Sequence, residues 1–161
     1  MPQTALSHFE QDLYIELEHI FLEAKFERWK HIERFLFPYF CYRTGYVTKQ
    51  GKPDWEFARQ SVPKSTSTND PKELVMIPLV PESSVIGEIK CIVRDDELSK
   101  EALSDVLDKL LTYCLITKTE LAKMKKLGVE KSMPAAWYQL AAKEPLDRLE
   151  FVGITLDHSP L

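Results

Sequence analysis

A long apolar pattern at helical spacing begins at Ser7 and predicts one helix that reaches about Leu36. Ser7 and Glu10 have the spacing of a capping box, and Pro38 is the residue that would stop the helix. The polar positions form a narrow stripe of Asp12, Glu16, His19, Glu23, Glu27, Lys30 and Arg34. The apolar arc is much wider than the ~100° that a surface helix needs. We therefore expect this helix either to be sandwiched within the domain or to meet another chain.

Two apolar runs in the middle of the chain predict a β-hairpin over residues 73–93. The first run is 73–80, in which Pro78 indicates a sheet edge or a bulge. The second run is 84–93, where apolar and polar side chains alternate with the period of a half-buried strand. A third run, 149–156, predicts a C-terminal strand.

Helical patterns occupy most of the chain after residue 95. Residues 100–116 carry an apolar stripe at helical spacing. Thr117 and Glu120 form a second capping box, before a helix that we expect to end at Gly128. Shorter helices are predicted over 53–60 and 132–142. Residues 37–46 are dense in aromatic side chains and suit a strand or a tightly packed bend.

Together these elements predict an α+β fold in which helices cover a small antiparallel sheet. The hairpin 73–93 and the C-terminal strand 149–156 would form that sheet, and the long N-terminal helix would pack beside it. A chain of 161 residues has the usual size of one domain, so we expect a single domain over 1–161. Residues 61–72 are rich in Ser, Thr, Asn, Asp and Pro and predict an exposed loop, and 157–161 predict a loose tail.

Charge and cysteine content narrow the function classes. The net charge of −4 at pH 7 argues against a protein whose main task is to coat nucleic acid, since phosphate binding needs Lys and Arg. Three cysteines, Cys41, Cys91 and Cys114, form no C-x-x-C pair that could hold zinc or act as a dithiol. No apolar run approaches the ~20 residues of a membrane span, and no signal-peptide pattern opens the chain. We expect a cytoplasmic protein with free thiols and no membrane association.

An aromatic cluster between residues 29 and 57 is the strongest candidate for a binding site. Tyr and Trp can line an apolar pocket and each offer a polar contact, and a nearby Arg adds a charge. The candidate ligand-binding residues are Trp29, Tyr39, Tyr42, Arg43, Tyr46 and Trp55. Such a pocket would suit a flat or cationic small molecule. The same residues could instead fill the core, or form a dimer interface.

Metal, cofactor and catalytic patterns are weak. Glu16 and His19 have a spacing used in carboxylate-bridged metal sites, but that kind of site needs the motif twice. The five glycines are scattered and form no phosphate-binding loop, so we expect neither a metal nor a cofactor. Cys91 and Cys114 lie on apolar faces. Cys41, two residues before Arg43, is the one candidate nucleophile, since a nearby cation can lower the pKa of a thiol.

Residues 117–142 resemble a helix-turn-helix unit, through Ala122 in the first helix and Gly128 at the turn. In that family the two positions are four residues apart, whereas here they are six apart, and Pro134 falls at the start of the second helix. The resemblance implies a DNA-binding regulator that uses Lys123, Lys125, Lys126 and Lys131. The alternative is a glycine-capped corner between packed helices, with Trp137 as a core anchor.

The sequence therefore favours a small accessory protein of bacterial type that acts by binding rather than catalysis. Its partner would be a small apolar or cationic ligand or another protein, and it would form a homodimer through the N-terminal helix. The alternatives are a DNA-binding regulator with the degenerate helix-turn-helix at 117–142 and a small hydrolase or transferase that uses Cys41.

Overall fold

The computed structural model of the chain describes residues 8–157, with side chains described from residue 10 onward. Seven α-helices are present in this range. They are α1 (His8–Lys25), α2 (Glu33–Thr44), α3 (Trp55–Ser61), α4 (Glu82–Arg94), α5 (Lys100–Leu110), α6 (Lys118–Lys126) and α7 (Asp147–Val152). The strands are β1 (Lys64–Ser65), β2 (Leu74–Pro78), β3 (Tyr113–Thr117) and β4 (Leu156–Asp157). Short 3-10 helices cover Trp29–His31, Pro71–Glu73 and Ala135–Gln139.

The predicted α+β class is confirmed, and the sheet is mixed rather than purely antiparallel. Its strand order is β2-β3-β1-β4. Strand β3 pairs antiparallel with β2 and parallel with β1, which in turn pairs antiparallel with β4. All five residues of β3 are buried, which is expected for a central strand that has helices on both faces.

The predicted hairpin 73–93 is wrong, because its second half is the helix α4. Val85 and Ile89 are fully buried and lie four residues apart, so a run that alternates at period two also carries a helical stripe. Pro81 precedes the helix and Glu82 lies in its first turn, where an acidic side chain suits the helix dipole. The true partner of β2 is β3, and the helix expected over 100–116 ends at Leu110 instead.

The predicted N-terminal helix is two helices, α1 and α2. The chain turns at Glu27, whose φ is +56°, and passes through the 3-10 helix before α2 begins. Helix α2 contains Pro38 and covers most of the segment 37–46, for which a strand or bend was expected. Helix α1 packs against α2, α4 and α5, which accounts for much of its wide apolar arc. The Ser7 end of the predicted capping box lies outside the described residues.

Other boundaries also differ from the sequence prediction. Residues 149–152 belong to α7, and Gly153, with φ +87°, ends that helix, so β4 is only Leu156–Asp157. Within the predicted loop 61–72, Lys64–Ser65 form β1 and Ser65 is buried. The second capping box is confirmed, since the Thr117 side chain accepts from the Glu120 amide and Glu120 accepts from the Thr117 amide. Of the predicted tail 157–161, residues 158–161 lie outside the described range.

Two hydrophobic clusters lie on opposite faces of the sheet, and β3 contributes side chains to both. Tyr113 and Leu115 point into the larger cluster, which contains residues of α1, α2, α4 and α5. Cys114 and Ile116 point into the smaller cluster, together with residues of α6 and α7. Within the described part of the chain, none of the helices combines the length and apolar character needed to cross a membrane.

Candidate functional site

The six candidate residues from the aromatic cluster do not meet in one pocket. Trp29 is partly buried, and the Nζ atom of Lys90 lies 5.7 Å from its ring centre. Tyr42 lines a separate small cavity of about 270 Å³. Tyr46 stacks on Phe57 with a ring separation of 5.3 Å.

Tyr39 and Arg43 are engaged in packing against the C-terminal end of α5. The Tyr39 hydroxyl donates to Asp108 Oδ1 at 2.8 Å, and its ring is buried. Burial and the neighbouring Asp108 raise the pKa of Tyr39. Arg43 donates to the carbonyl oxygens of Leu107 and Leu111, so it caps α5. Of the six candidates, only Trp55 lines the main pocket described next.

A solvent-open pocket of about 600 Å³ lies between α2, the start of α4, the strands β2 and β3, and helix α6. Helix α2 supplies Glu33 and Phe37, which are four residues apart and therefore share a face. Helix α4 supplies Glu82 and Ile86 with the same spacing. Further lining side chains are Trp55, Met76, Tyr113, Leu121, Met124, Glu130, Lys131 and Arg148. The wall is thus mostly apolar, with charged groups at a few points.

Aromatic rings form one side of this pocket. Phe37 meets Tyr113 edge to face at 5.6 Å and lies 5.3 Å from the Trp55 ring. Trp55 is 49% exposed, so a large apolar surface of its indole ring faces solvent. The rings therefore present an aromatic surface toward the opening of the pocket.

Two carboxylates, Glu33 and Glu82, lie together beside these rings. Tyr113 donates its hydroxyl to Glu82 Oε1 at 2.9 Å. Burial raises the pKa of Glu82, the Tyr113 hydrogen bond opposes that rise, and the charge and hydrogen bonding of Glu33 add to it. Burial and the nearby Glu82 also raise the pKa of Tyr113, so its hydroxyl stays protonated as a donor. The pocket therefore holds an acidic pair in which Glu82 is partly buried and Glu33 is exposed.

Arg148 forms another part of the wall and is 2% exposed. Its Nη1 atom donates to the carbonyl oxygens of Val129 and Glu130, at 3.3 and 2.9 Å, and Nη2 donates to that of Pro78. Its Nε atom is buried and has no hydrogen-bond partner among the described residues. Burial lowers the pKa of Arg148 to about 10. It is therefore a buried cation held mainly by main-chain oxygens.

Sequence reasoning missed Glu33, Glu82, Tyr113 and Arg148. Glu33 was placed inside one long helix and Glu82 in a hairpin turn, so no pattern brought the two together. The signal that was available is Glu82 directly after Pro81, because proline followed by an acid is a common helix start. Nothing in the sequence around Arg148 distinguishes it from a surface arginine.

The corner at 127–137 differs from a DNA-reading unit. The second helix predicted over 132–142 is a five-residue 3-10 helix, Ala135–Gln139. Trp137 is buried within it and donates its Nε1–H to the Glu144 carbonyl at 3.0 Å. Gly128 has φ +75° after the end of α6, as the glycine-capped corner requires. Lys123, Lys125, Lys126 and Lys131 are exposed.

The remaining candidates from the sequence lie apart from the main pocket. Cys41 is buried, and desolvation raises its pKa to about 11, which keeps the thiol protonated at neutral pH. Glu16 and His19 approach each other at 3.3 Å. No group of three or more His, Cys, Asp or Glu within the described ranges is arranged to hold a metal ion.

Comparison with known proteins gives no relative from which a function could be transferred: no family model, no curated protein and no solved structure matches this chain.

Proposed function

We propose that this protein binds a small organic cation with an apolar or aromatic body in the pocket between α2, α4 and β3. The observation that carries the proposal is the Glu33–Glu82 pair at an aromatic wall. Two neighbouring carboxylates repel each other, and here one of them, Glu82, is partly buried. A bound ammonium group would relieve that repulsion. Without a bound cation, the repulsion is reduced when Glu82 keeps its proton, which agrees with the raised pKa of Glu82.

The walls suit the rest of such a ligand. Pockets of ~300–1,000 Å³ with mostly apolar walls and a few polar groups are typical of small-molecule sites, and this one is about 600 Å³. Phe37, Tyr113 and Trp55 would contact an apolar body. Their ring faces would also attract a cation held beside the carboxylates.

Binding is favoured over catalysis by the residues that line the pocket. Neither histidine nor cysteine is among the described lining residues, and Cys41 is buried as a protonated thiol. Ser83, the hydroxyl nearest the acidic pair in sequence, donates to the Lys131 carbonyl at 3.2 Å. That bond ties the start of α4 to the 130–131 segment, which is a structural role.

Calorimetric titration with phenethylammonium, which has one ammonium group on an aromatic body, tests this proposal. Wild-type protein should bind it at neutral pH, and Glu82→Gln should weaken the binding about 10- to 100-fold, because a charge-assisted hydrogen bond contributes about 1.5–3 kcal/mol. Glu101→Gln, at an exposed acid in the first turn of α5, is the matched control and should bind like wild type. Absence of binding to wild type, or equal weakening by both variants, would refute the proposal.

We also propose that a second copy of the chain packs on α1. Ile15 and Leu22 on α1 and Phe26 directly after it are 47%, 48% and 67% exposed, and their spacing of seven and four residues places them along one face of the helix. Asp12 and Glu16 lie in the first half of α1, while Glu18, Glu23 and Lys25 lie in its second half and Arg28, just beyond the helix, pairs with Glu23 at 3.1 Å. A two-fold antiparallel pairing of α1 with its copy would place this exposed apolar stripe against that of the second chain.

A cytoplasmic setting is part of the same proposal. It is supported by the three cysteines Cys41, Cys91 and Cys114, which are all free thiols in the fold.

A further inference from the structure

Arg148 is a buried positive charge in the pocket wall. A ligand with only a positive charge would leave it without an acidic partner. A buried arginine normally meets a carboxylate, since its charge is costly to desolvate. Arg148 instead meets main-chain oxygens, and the groups that act on its pKa besides burial are Cys114 and Tyr138. Glu130, the nearest acid in its hydrogen-bonded segment, directs its carboxylate toward Lys125 at 3.8 Å. Among the described residues, this cation therefore has no acidic partner.

The guanidinium also has spare hydrogen-bonding capacity. Arginine carries five N–H donors, and its three bonds to Val129, Glu130 and Pro78 use at most three of them. One unused donor is on Nε, which is buried without a partner. The donor that remains on Nη2 is enough for a charge-assisted contact with a carboxylate.

Lys131 adds a second positive group to the same part of the wall. Its side chain is exposed and lines the pocket, and its carbonyl is fixed by the bond from Ser83. The pocket lining therefore holds groups of both signs: the acids Glu33 and Glu82, the bases Arg148 and Lys131, and Glu130, whose carboxylate is directed toward Lys125. The ion pairs among the described residues do not include Arg148, so Arg148 and Glu82 are not paired with each other.

We propose that the ligand of this pocket is amphoteric, with an ammonium group bound by Glu33 and Glu82 and a carboxylate bound by Arg148 and Lys131. This inference rests on the cation-binding function proposed above and names the class of ligand: amino acids and other small molecules that carry an amine and an acid on an apolar frame. Arg148 and Lys131 determine specificity, because they distinguish such a ligand from a simple amine.

Chain geometry limits how far apart the two charged groups of the ligand lie. Arg148 donates to the carbonyl of Pro78, and Glu82 is four residues further along the chain. Four residues span at most about 14 Å when fully extended. A single aromatic ring with an amine arm and an acid on its far side falls within this limit.

Three probes of nearly equal size test the inference by calorimetric titration of the full chain. They are phenethylammonium, its 4-methyl derivative, and 4-(2-aminoethyl)benzoate, which carries a carboxylate where the second probe carries a methyl group. We expect the benzoate to bind at least about 10-fold more tightly than the methyl compound, since charge-assisted bonds to arginine are strong. Benzoate binding that equals or falls below that of the methyl compound would overturn the inference and leave the cation site standing. If none of the three binds, both proposals fail.

Variants test whether Lys131 and Arg148 cause the preference for the benzoate over the methyl compound. Lys131→Gln changes an exposed side chain and should reduce the advantage of the benzoate several-fold, with binding of the methyl compound unchanged. Lys126→Gln, at an exposed lysine outside the pocket lining, is the matched control and should leave the preference intact. Arg148→Lys should reduce the advantage further, and circular dichroism establishes whether that variant folds. An advantage that survives Lys131→Gln in full would remove Lys131 from the site, and one that survives in a folded Arg148→Lys protein would overturn the inference.

Discussion

At the scale of single residues, Glu82 links the stability of the protein to its proposed binding site. Its carboxyl is partly buried beside Glu33 and accepts from Tyr113, and the balance of these effects raises its pKa in the folded state. The folded protein therefore holds the Glu82 proton more tightly than the unfolded chain does. Stability from this group is fully present at low pH and is lost as the pH rises through the folded-state pKa.

The Glu82→Gln variant should remove that part of the pH dependence. Glutamine keeps an oxygen that can accept from Tyr113 but cannot ionise, so we expect the variant to gain melting temperature relative to wild type as the pH rises above the Glu82 pKa. At the lowest pH values, where Glu82 is protonated in wild type, the two proteins should melt at similar temperatures. Thermal denaturation across about pH 4 to 8 checks this, with Glu101→Gln as the exposed control. A constant difference between Glu82→Gln and wild type at all pH values would contradict the assigned role.

Residue types indicated binding chemistry in the sequence, but their neighbours were not predictable. The aromatic residues and a nearby arginine predict a site for a small apolar or cationic ligand, and of the six residues named for it only Trp55 lines the main pocket. Arginine is a common ligand contact, yet the N–H groups of Arg43 donate to the carbonyl oxygens of Leu107 and Leu111 at the end of α5. The acidic pair depends on the packing of α2 against α4, which brings together Glu33 and Glu82 from 49 positions apart, and local patterns carry no such information.

At the scale of elements, caps were predictable and the choice between strand and helix was not. The Thr117 capping box and the glycine that ends α6 are confirmed predictions, because each depends on a few adjacent residues. The segment 84–93 was misread since Val85 and Ile89 fit both the strand period and the helix period. Tertiary packing decides such cases: β3 occupies the position beside β2 and leaves α4 to cover the core.

Two glycines provide a matched test of these element assignments. Gly128 has φ +75° at the end of α6, so Gly128→Ala should destabilise the protein by about 1 kcal/mol. Gly87 lies inside α4, and a Cβ there would meet nothing within 4 Å. Gly87→Ala should therefore stabilise by about 0.5–1 kcal/mol, because alanine favours a helix. Urea denaturation measures both changes, and a destabilising Gly87→Ala would argue against the helix α4.

At the scale of the whole molecule, the wide apolar arc of the N-terminal segment is partly buried and partly exposed. Much of it is buried because α1 packs on α2, α4 and α5. Ile15, Leu22 and Phe26 remain exposed, and they are the surface on which a second copy is proposed. The sequence indicates the excess of apolar surface, but the turn at Glu27 and the packing of α1 on α2, α4 and α5 decide which part is exposed.

Light scattering coupled to size-exclusion chromatography tests the dimer. We expect a dimer for wild type at micromolar concentration and a shift toward monomer for Phe26→Ser, which removes the most exposed residue of the stripe. Phe151→Ser is the matched control, since Phe151 is 55% exposed on α7, and it should leave the dimer intact. A wild-type monomer, or dissociation caused equally by both variants, would contradict a dimer through α1.

The central claim, that the Glu33–Glu82 pair binds a cation, is tested most directly by counting protons during the phenethylammonium titration. The titration is repeated in two buffers that differ in ionisation enthalpy, at a pH where Glu82 is partly protonated. Because a bound ammonium favours the ionised carboxyl, wild type should release protons on binding, and Glu82→Gln should lose that release. Binding without proton release in wild type, or with the same release in Glu82→Gln, would contradict the account.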